Sequence, residues 1–298
     1  MKVSRIGEFG LIDRLKRFQN LTSVVVQGIG DDAAVLKLNA KCYQLFTTDM
    51  MVEDVHFLRS KPPEKVGRKA LACNISDIAA MGGIPSSAVV SLGVPKDLDV
   101  RYIEKMYAGM FSLARQFGVS LVGGDTVRSE KIVINVALLG EVEKSKLVLR
   151  NGACVGDVIF VTGPLGGSFR SGRHLNFTPR VKEARFLVEK FKPTAMMDIS
   201  DGLSGDLGHI IKASGVGAVL DVARIPVNKG ATLEQALHEG EDFELLFTLP
   251  GIFAQRFLKN CPRPFFPVGK IVPAKNGLLL RELSGRTVPV RTKGFTHF

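Results

Sequence analysis

Tryptophan is absent from the 298-residue chain, tyrosine occurs three times, and aromatic residues make up only 7% of it. A stacking platform for single-stranded nucleic acid, which interleaves aromatics with basic residues, has little to be built from here. The four cysteines, Cys42, Cys73, Cys154 and Cys261, lie far apart with no C-x-x-C pair. That excludes a disulfide framework and a thiolate zinc site and leaves buried or incidental thiols. The five histidines are scattered, and the Walker A, H-R-D, G-x-S-x-G and H-E-x-x-H motifs are all missing. No apolar run reaches bilayer length, residues 132–139 being typical of the longest, so no membrane span is expected. Charges at Lys2, Arg5, Glu8, Asp13 and Arg14 break up residues 1–15, which therefore do not read as a secretory signal. A cytoplasmic protein is the expectation.

Acidic residues are the minority: 29 Asp and Glu against 40 Lys and Arg leave a formal charge of +11, which raises the question of a polyanionic partner. The excess is spread evenly, +5 over residues 1–150 and +6 over residues 151–298. Only residues 170–192 are locally enriched, which fits either a phosphate-facing patch or a solvated helix face. An apolar content of 45% marks a globular chain, and its length allows about two domains. Residues 24–26, 43–48, 87–92 and 132–139 read as strands, 63–80 and 100–117 as helices, the second stopping at Gly118. Residues 151–157, with two glycines, divide this half from a second. There 158–162, 218–222 and 243–249 read as strands, and 202–213 and 252–260 as helices. The expected domains are 1–150 and 151–298.

The informative feature is a set of aspartates at the ends of elements, each beside glycine, serine or threonine: Asp31, Asp32, Asp49, Asp77, Asp125, Asp198 and Asp201. Any one of them alone reads as a turn or cap residue. Seven in a basic chain point further. Asn74 and Asp77, three apart on a helix, share a face, and Thr47, Thr48 and Asp49 place oxygen ligands at a strand end. Carboxylates and hydroxyls without His or Cys clusters are the donor set of hard cations such as Mg²⁺. Converging aspartates need several such ions before a phosphate can enter, so the implied chemistry is phosphoryl transfer. The stretch Gly28-Ile-Gly30-Asp-Asp-Ala33 also fits the dinucleotide pattern G-x-G-x-x-A. That pattern must open a helix, whereas residues 34–46 are β-like and Asp31 and Asp32 would repel pyrophosphate. An oxidoreductase is set aside.

Taken in order, Gly28-Ile-Gly-Asp-Asp-Ala33, Thr47-Thr-Asp49 with Val55-His-Phe57, Asn74-Ile-Ser-Asp-Ile-Ala-Ala-Met-Gly82, Gly123-Gly-Asp-Thr126, Asp198-Ile-Ser-Asp-Gly202, Gly240-Glu-Asp-Phe-Glu244 and Lys293-Gly-Phe-Thr-His-Phe298 resemble the thiamine-monophosphate kinase family of the aminoimidazole-ribotide synthetase-like superfamily. The resemblance spans nearly the whole chain, and the last two motifs separate this family from its superfamily relatives. It implies a two-domain α/β (α+β) fold, an N-terminal sheet domain that pairs in a homodimer, and a C-terminal α/β domain. It further implies ATP-dependent phosphorylation of thiamine monophosphate with several Mg²⁺ ions. By motif position Asp32, Thr47, Thr48, Asp49, Asp77, Asp125, Asp198 and Asp201 resemble the metal ligands; Gly124, Asp125, Arg150 and Ser200 the ATP contacts; and His56, Glu241 and Phe295 the residues that face thiamine. No single general base is implied.

Two positions depart from the pattern. Gly163-Pro-Leu-Gly-Gly-Ser168 lacks an acidic residue after its second glycine and is followed by a shortened stretch to Pro179, and Asp54 stands where the family often has glycine. The alternative reading is another ATP-using enzyme of the superfamily with a different acceptor. Selenide chemistry among these would want a reactive cysteine near the N-terminus, and none precedes Cys42. A basic nucleic-acid-binding protein would leave the acidic set unused.

Overall fold

The computed structural model describes residues 2–261, 265–290 and 294–295. Strands β1 (Val25–Gln27), β2 (Ala34–Lys37), β3 (Cys42–Val52), β4 (Ile84–Val94), β5 (Ser120–Arg128) and β6 (Val133–Glu143) form one sheet in the order β1-β2-β3-β6-β4-β5. All pairs are antiparallel except β4 with β5. Residues 28–33 lead into strand β2 and open no helix, in keeping with the rejection of the dinucleotide motif. Helix α1 (Gly7–Leu15) precedes the sheet, while α2 (Pro63–Ala80) and α3 (Val100–Phe117) cover one of its faces. α2 starts with proline in its first turn. α3 is capped by the Asp99 carboxylate, which accepts from the Arg101 N–H, and is closed by Gly118 in the left-handed region at φ 69°.

The second half begins with β7 (Val158–Val161), α4 (Ser168–Ser171), α5 (Val181–Lys190) and β8 (Ala195–Asp198). α6 (Leu203–Ser214), β9 (Gly217–Asp221), α7 (Leu233–His238), β10 (Leu245–Leu249), α8 (Gly251–Asn260), β11 (Phe266–Val272), β12 (Leu278–Arg281) and β13 (Thr287–Pro289) follow. These seven strands form a sheet ordered β13-β12-β9-β11-β7-β10-β8. Strand alternation divides its side chains between two cores. Ile159, Val161, Met197 and Leu246 pack with Leu203, Leu207 and Ile210 of α6, while Phe160, Met196 and Phe247 pack with Leu187 of α5 and Phe257 of α8.

α2 joins the two halves. It packs against β3, β6 and α3 on one side and against α5 and β8 on the other, so 13 of its 18 residues are buried. The apolar side expected from sequence is only part of what this helix buries. Its contact with α3 is backbone to backbone: a Cβ on Gly67 would lie 1.9 Å from the Met106 carbonyl oxygen, and one on Gly109 the same distance from that of Glu64.

The strand expected over 243–249 starts at Leu245, because Phe243 adopts φ 50°. Three arginines of the basic stretch 170–192 are engaged within the fold. Arg173 pairs with Asp242, Arg180 donates both of its fork nitrogens to Glu244, and Arg185 bridges Glu143 and the Gly82 carbonyl. Asp54 takes φ 66°, the left-handed region that glycine enters freely and that aspartate tolerates.

Candidate active site

Period-two alternation along β3 turns Thr47 and Asp49 toward α2 and leaves Thr48 on the opposite, open face of the sheet. The Thr47 hydroxyl donates to Asp77 Oδ2 at 2.6 Å and to the Asp32 carbonyl at 3.3 Å. Thr48 instead donates to Asn135 Oδ1 and the Val136 carbonyl. Its side chain therefore stands outside the group it was expected to join. From the helix side, Ser76 donates to Asp198 Oδ2 across the boundary between the two halves. Asn74, expected to work beside Asp77, turns back to donate to the Ala70 carbonyl.

Asp32, Asp77 and Asp198 bring carboxylate oxygens within 4.8 Å of one another, from the loop before β2, from α2 and from the end of β8. At such separations each ionised pair costs on the order of 3 kcal/mol at an effective dielectric of about 20. Burial and then the neighbouring aspartates push Asp198 up to about 8, Asp49 to about 6, and Asp77 well above the ordinary carboxylate range. Arg150 relieves part of this repulsion. Its Nη2 reaches Asp32 Oδ1 at 2.8 Å, and its backbone N–H donates to Asp31.

Asp201 does not complete this cluster. It belongs to a second one, with Asp206 and His209 of α6, whose ligand atoms also lie within 4.8 Å of one another. Asp206 accepts the Asp201 N–H at 3.1 Å. Burial lowers His209 to about 4, so its imidazole is neutral at pH 7, and the Phe9 ring of α1 packs on it at 4.6 Å. The second cluster borders a cavity of about 730 Å³ lined by Asp31, Arg150, Ser200, Asp201, His209 and Phe295, with α1 along one wall, and Arg150 links this cavity to Asp32 of the first cluster. Asp206, His209 and α1 were not anticipated. The spacing of Asp206 and His209, three apart on a helix, was the available signal.

His56 and Glu241 meet through a residue absent from the motif reading. Lys69 Nζ donates to the His56 carbonyl at 2.9 Å and to Glu241 Oε1 at 2.5 Å. Glu241, at φ 63°, ties back through its N–H to the Ser200 carbonyl, and Gly240 is needed because a Cβ there would meet that same oxygen at 2.3 Å. Phe295 donates its N–H to the Asp201 carbonyl and so stands in the cavity with Arg150 and Ser200. Lys293 and residues 296–298 of its motif lie outside the described residues. Asp242 and Glu244 of the same acidic motif serve the fold: Asp242 takes the Gly166 N–H and the Ser168 hydroxyl, and Glu244 takes the Thr162 hydroxyl. Asp242 and the Gly167 N–H bond to Glu239 organise the glycine loop that lacks its own acid.

Asp125 and Gly124 lie elsewhere. Asp49 pairs with Val136, Val136 with Val90, and Val90 with Gly124, so β5 runs three strands from Asp49, about 14 Å at the usual strand spacing. Gly124 lacks a side chain because a Cβ would meet the Val90 carbonyl oxygen at 1.9 Å. Asp125 shares a row with Ser91, Asn135 and Met50 on the open face, and its carboxylate accepts the Thr126 N–H.

Comparison with known proteins agrees with this architecture. Family models for AIR synthase related protein match the chain twice, the N-terminal domain over residues 30–142 and the C-terminal domain over residues 155–278. The thiamine-monophosphate kinase of Aquifex aeolicus is 40% identical with the whole of both chains covered, and that of Bacillus subtilis is 36% identical over 98% of this chain and all of its own. Among solved structures, AaThiL complexed with AMPPCP and TMP superposes with a TM-score of 0.87 at 36% identity, covering 100% of this chain and 99% of that one. A motif order carried through two AIR-synthase-type sheets, and full-length identity well above 30%, together mean that the chain belongs to the thiamine-monophosphate kinase family.

Proposed function

We propose that this protein transfers the terminal phosphoryl group of ATP to the phosphate of thiamine monophosphate, giving thiamine diphosphate. The observation that carries this reading is the convergence of Asp32, Asp77 and Asp198, with Asp49 beside them, where the two halves of the chain meet. Carboxylates so crowded serve no purpose in an empty core, and their all-oxygen donor set fits Mg²⁺. Asp32, Asp49, Asp77 and Asp198, with the Thr47 hydroxyl, would hold such ions, and Asp201 a further one. Bound there, the ions would neutralise phosphate charge as it shifts between donor and acceptor. The protein's part is placement: Arg150 and Ser200 border the cavity for nucleotide phosphates, while His56 and Glu241 face the acceptor. Purified protein given ATP, Mg²⁺ and thiamine monophosphate should yield thiamine diphosphate on chromatography. Absence of that product, with turnover of another acceptor, would overturn the assignment.

The working unit is a homodimer joined through the open face of the first sheet, where Phe46, Met50, Val89 and Val127 stand 45%, 57%, 41% and 55% exposed. A sheet face this apolar calls for a cover. Asp125 lies on the same face and points away from its own chain's carboxylates. Its expected metal role therefore requires that each Asp125 serve the site of the other copy. No described helix is long and apolar enough to cross a membrane.

A further inference from the structure

Among the described residues the most deeply buried basic side chain is Lys69, 1% exposed in the middle of α2. A buried ammonium is costly unless it is paired and hydrogen-bonded, and breaking one side of such a pair leaves the other charge stranded. Lys69 donates to two acceptors, Glu241 Oε1 and the His56 carbonyl. Both belong to segments assigned here to the acceptor, and they come from opposite halves of the chain. The second oxygen of the same carboxylate, Glu241 Oε2, is buried and has no hydrogen-bond partner among the described residues. An oxygen left this way in a site is an acceptor waiting for an N–H or O–H donor. Helix geometry supplies the scale. Lys69, Cys73 and Asp77 recur at intervals of four along one stripe of α2, so the acceptor end and the metal end lie eight residues, about 12 Å, apart on one rigid element.

We propose that Lys69 is a positioning residue of the acceptor pocket, holding Glu241 Oε1 so that Oε2 selects an acceptor that carries an aromatic amine. The inference rests on thiamine monophosphate being the acceptor, whose aminopyrimidine supplies such a donor. Lys69 fills one side of the carboxylate and fixes its plane, and the His56 carbonyl ties the β3–α2 connection to the same ammonium. An acceptor without the amine leaves Oε2 buried and unpaired, which is the penalty that discriminates against it.

The test compares wild type, Lys69→Met, Glu241→Gln and the double variant on thiamine monophosphate and on its analogue with hydrogen in place of the pyrimidine amine. Wild type should turn over the natural acceptor and discriminate against the analogue. If it does not use thiamine monophosphate at all, the functional assignment itself fails. Each single variant should raise KM for thiamine monophosphate about tenfold or more, with KM for ATP within twofold, and should lose the discrimination. The double variant should be no worse than either single one, because the two residues act as one unit. Wild-type discrimination in Lys69→Met, multiplied defects in the double variant, or a parallel rise in both KM values would overturn the role of Lys69. Should Lys69→Met fail to fold, the double variant, which strands no charge, decides alone: retained discrimination rejects the inference.

Discussion

Residue by residue, the site separates groups that hold charge from groups that hold shape. Asp49 lies in the first class, and Asp49→Asn should lower kcat about a hundredfold or more, since the neutral amide removes a ligand without removing bulk. Phe295 lies in the second. Phe295→Ala should raise KM for thiamine monophosphate and leave kcat nearly unchanged; a rise in KM for ATP alone would instead give the ring to the nucleotide, whose expected contacts Arg150 and Ser200 share its cavity. The crowded carboxylates also predict a pH dependence. Asp198 sits near 8 and Asp31 near 7, above the ordinary aspartate value near 3.8, so between pH 6.5 and 8.5 the native state binds more protons than the unfolded chain. Stability must then fall as pH rises. The opposing effect of His209, lowered from 6.5 to about 4, is already half gone at pH 6.5 and fades above it, too small to reverse the sign set by the two aspartates. In chelator the Tm should decline from pH 6.5 to 8.5, and Mg²⁺ with nucleotide should flatten the slope; a level Tm in chelator rules out the convergence.

At the scale of elements, α2 decides most. It supplies Lys69, Ser76 and Asp77 to the site and presents Gly67 to the backbone of α3, which returns the contact through Gly109. Gly109→Ala puts a methyl group where a carbonyl oxygen already lies, and overpacking of this kind costs about 1–3 kcal/mol. The variant should show a lower urea midpoint with an unchanged m-value, and because α2 is displaced, kcat should fall as well. A wild-type midpoint would show that the two helices part without cost.

At the scale of the whole molecule, the proposed pairing through the open sheet face would tie assembly to chemistry. If the chain pairs as proposed, Phe46→Asp should convert that dimer to a species near 32.4 kDa by light scattering and remove activity with it. A sharper result comes from mixing two inactive variants, Asp49→Asn and Asp125→Asn, under conditions that exchange subunits. If Asp125 acts on the opposite copy, one site of each mixed dimer contains both wild-type residues, and activity returns. If it acts within its own chain, both sites stay broken and the mixture remains inactive.

What could be read from the linear order was whatever depends on neighbours in sequence. Helices 63–80 and 100–117 follow from their proline and glycine signals, and the strands around Asp49 and Val136 from β-branched runs; the described elements match them to within a few residues. The aspartate motifs pointed to hard-cation chemistry, the use proposed for them, because so many carboxylates beside glycine and threonine exceed what turns and caps need. Only tertiary structure could sort those aspartates. A one-residue step along β3 sends Thr47 and Thr48 to opposite faces, strand order carries Asp125 three strands away, and the entry of α6 draws Asp201 toward Asp206 and His209. Lys69 shows the same limit. In sequence it is one of 40 basic residues, and it becomes singular because the fold removes it from water and gives it Glu241, 172 residues away, as its partner.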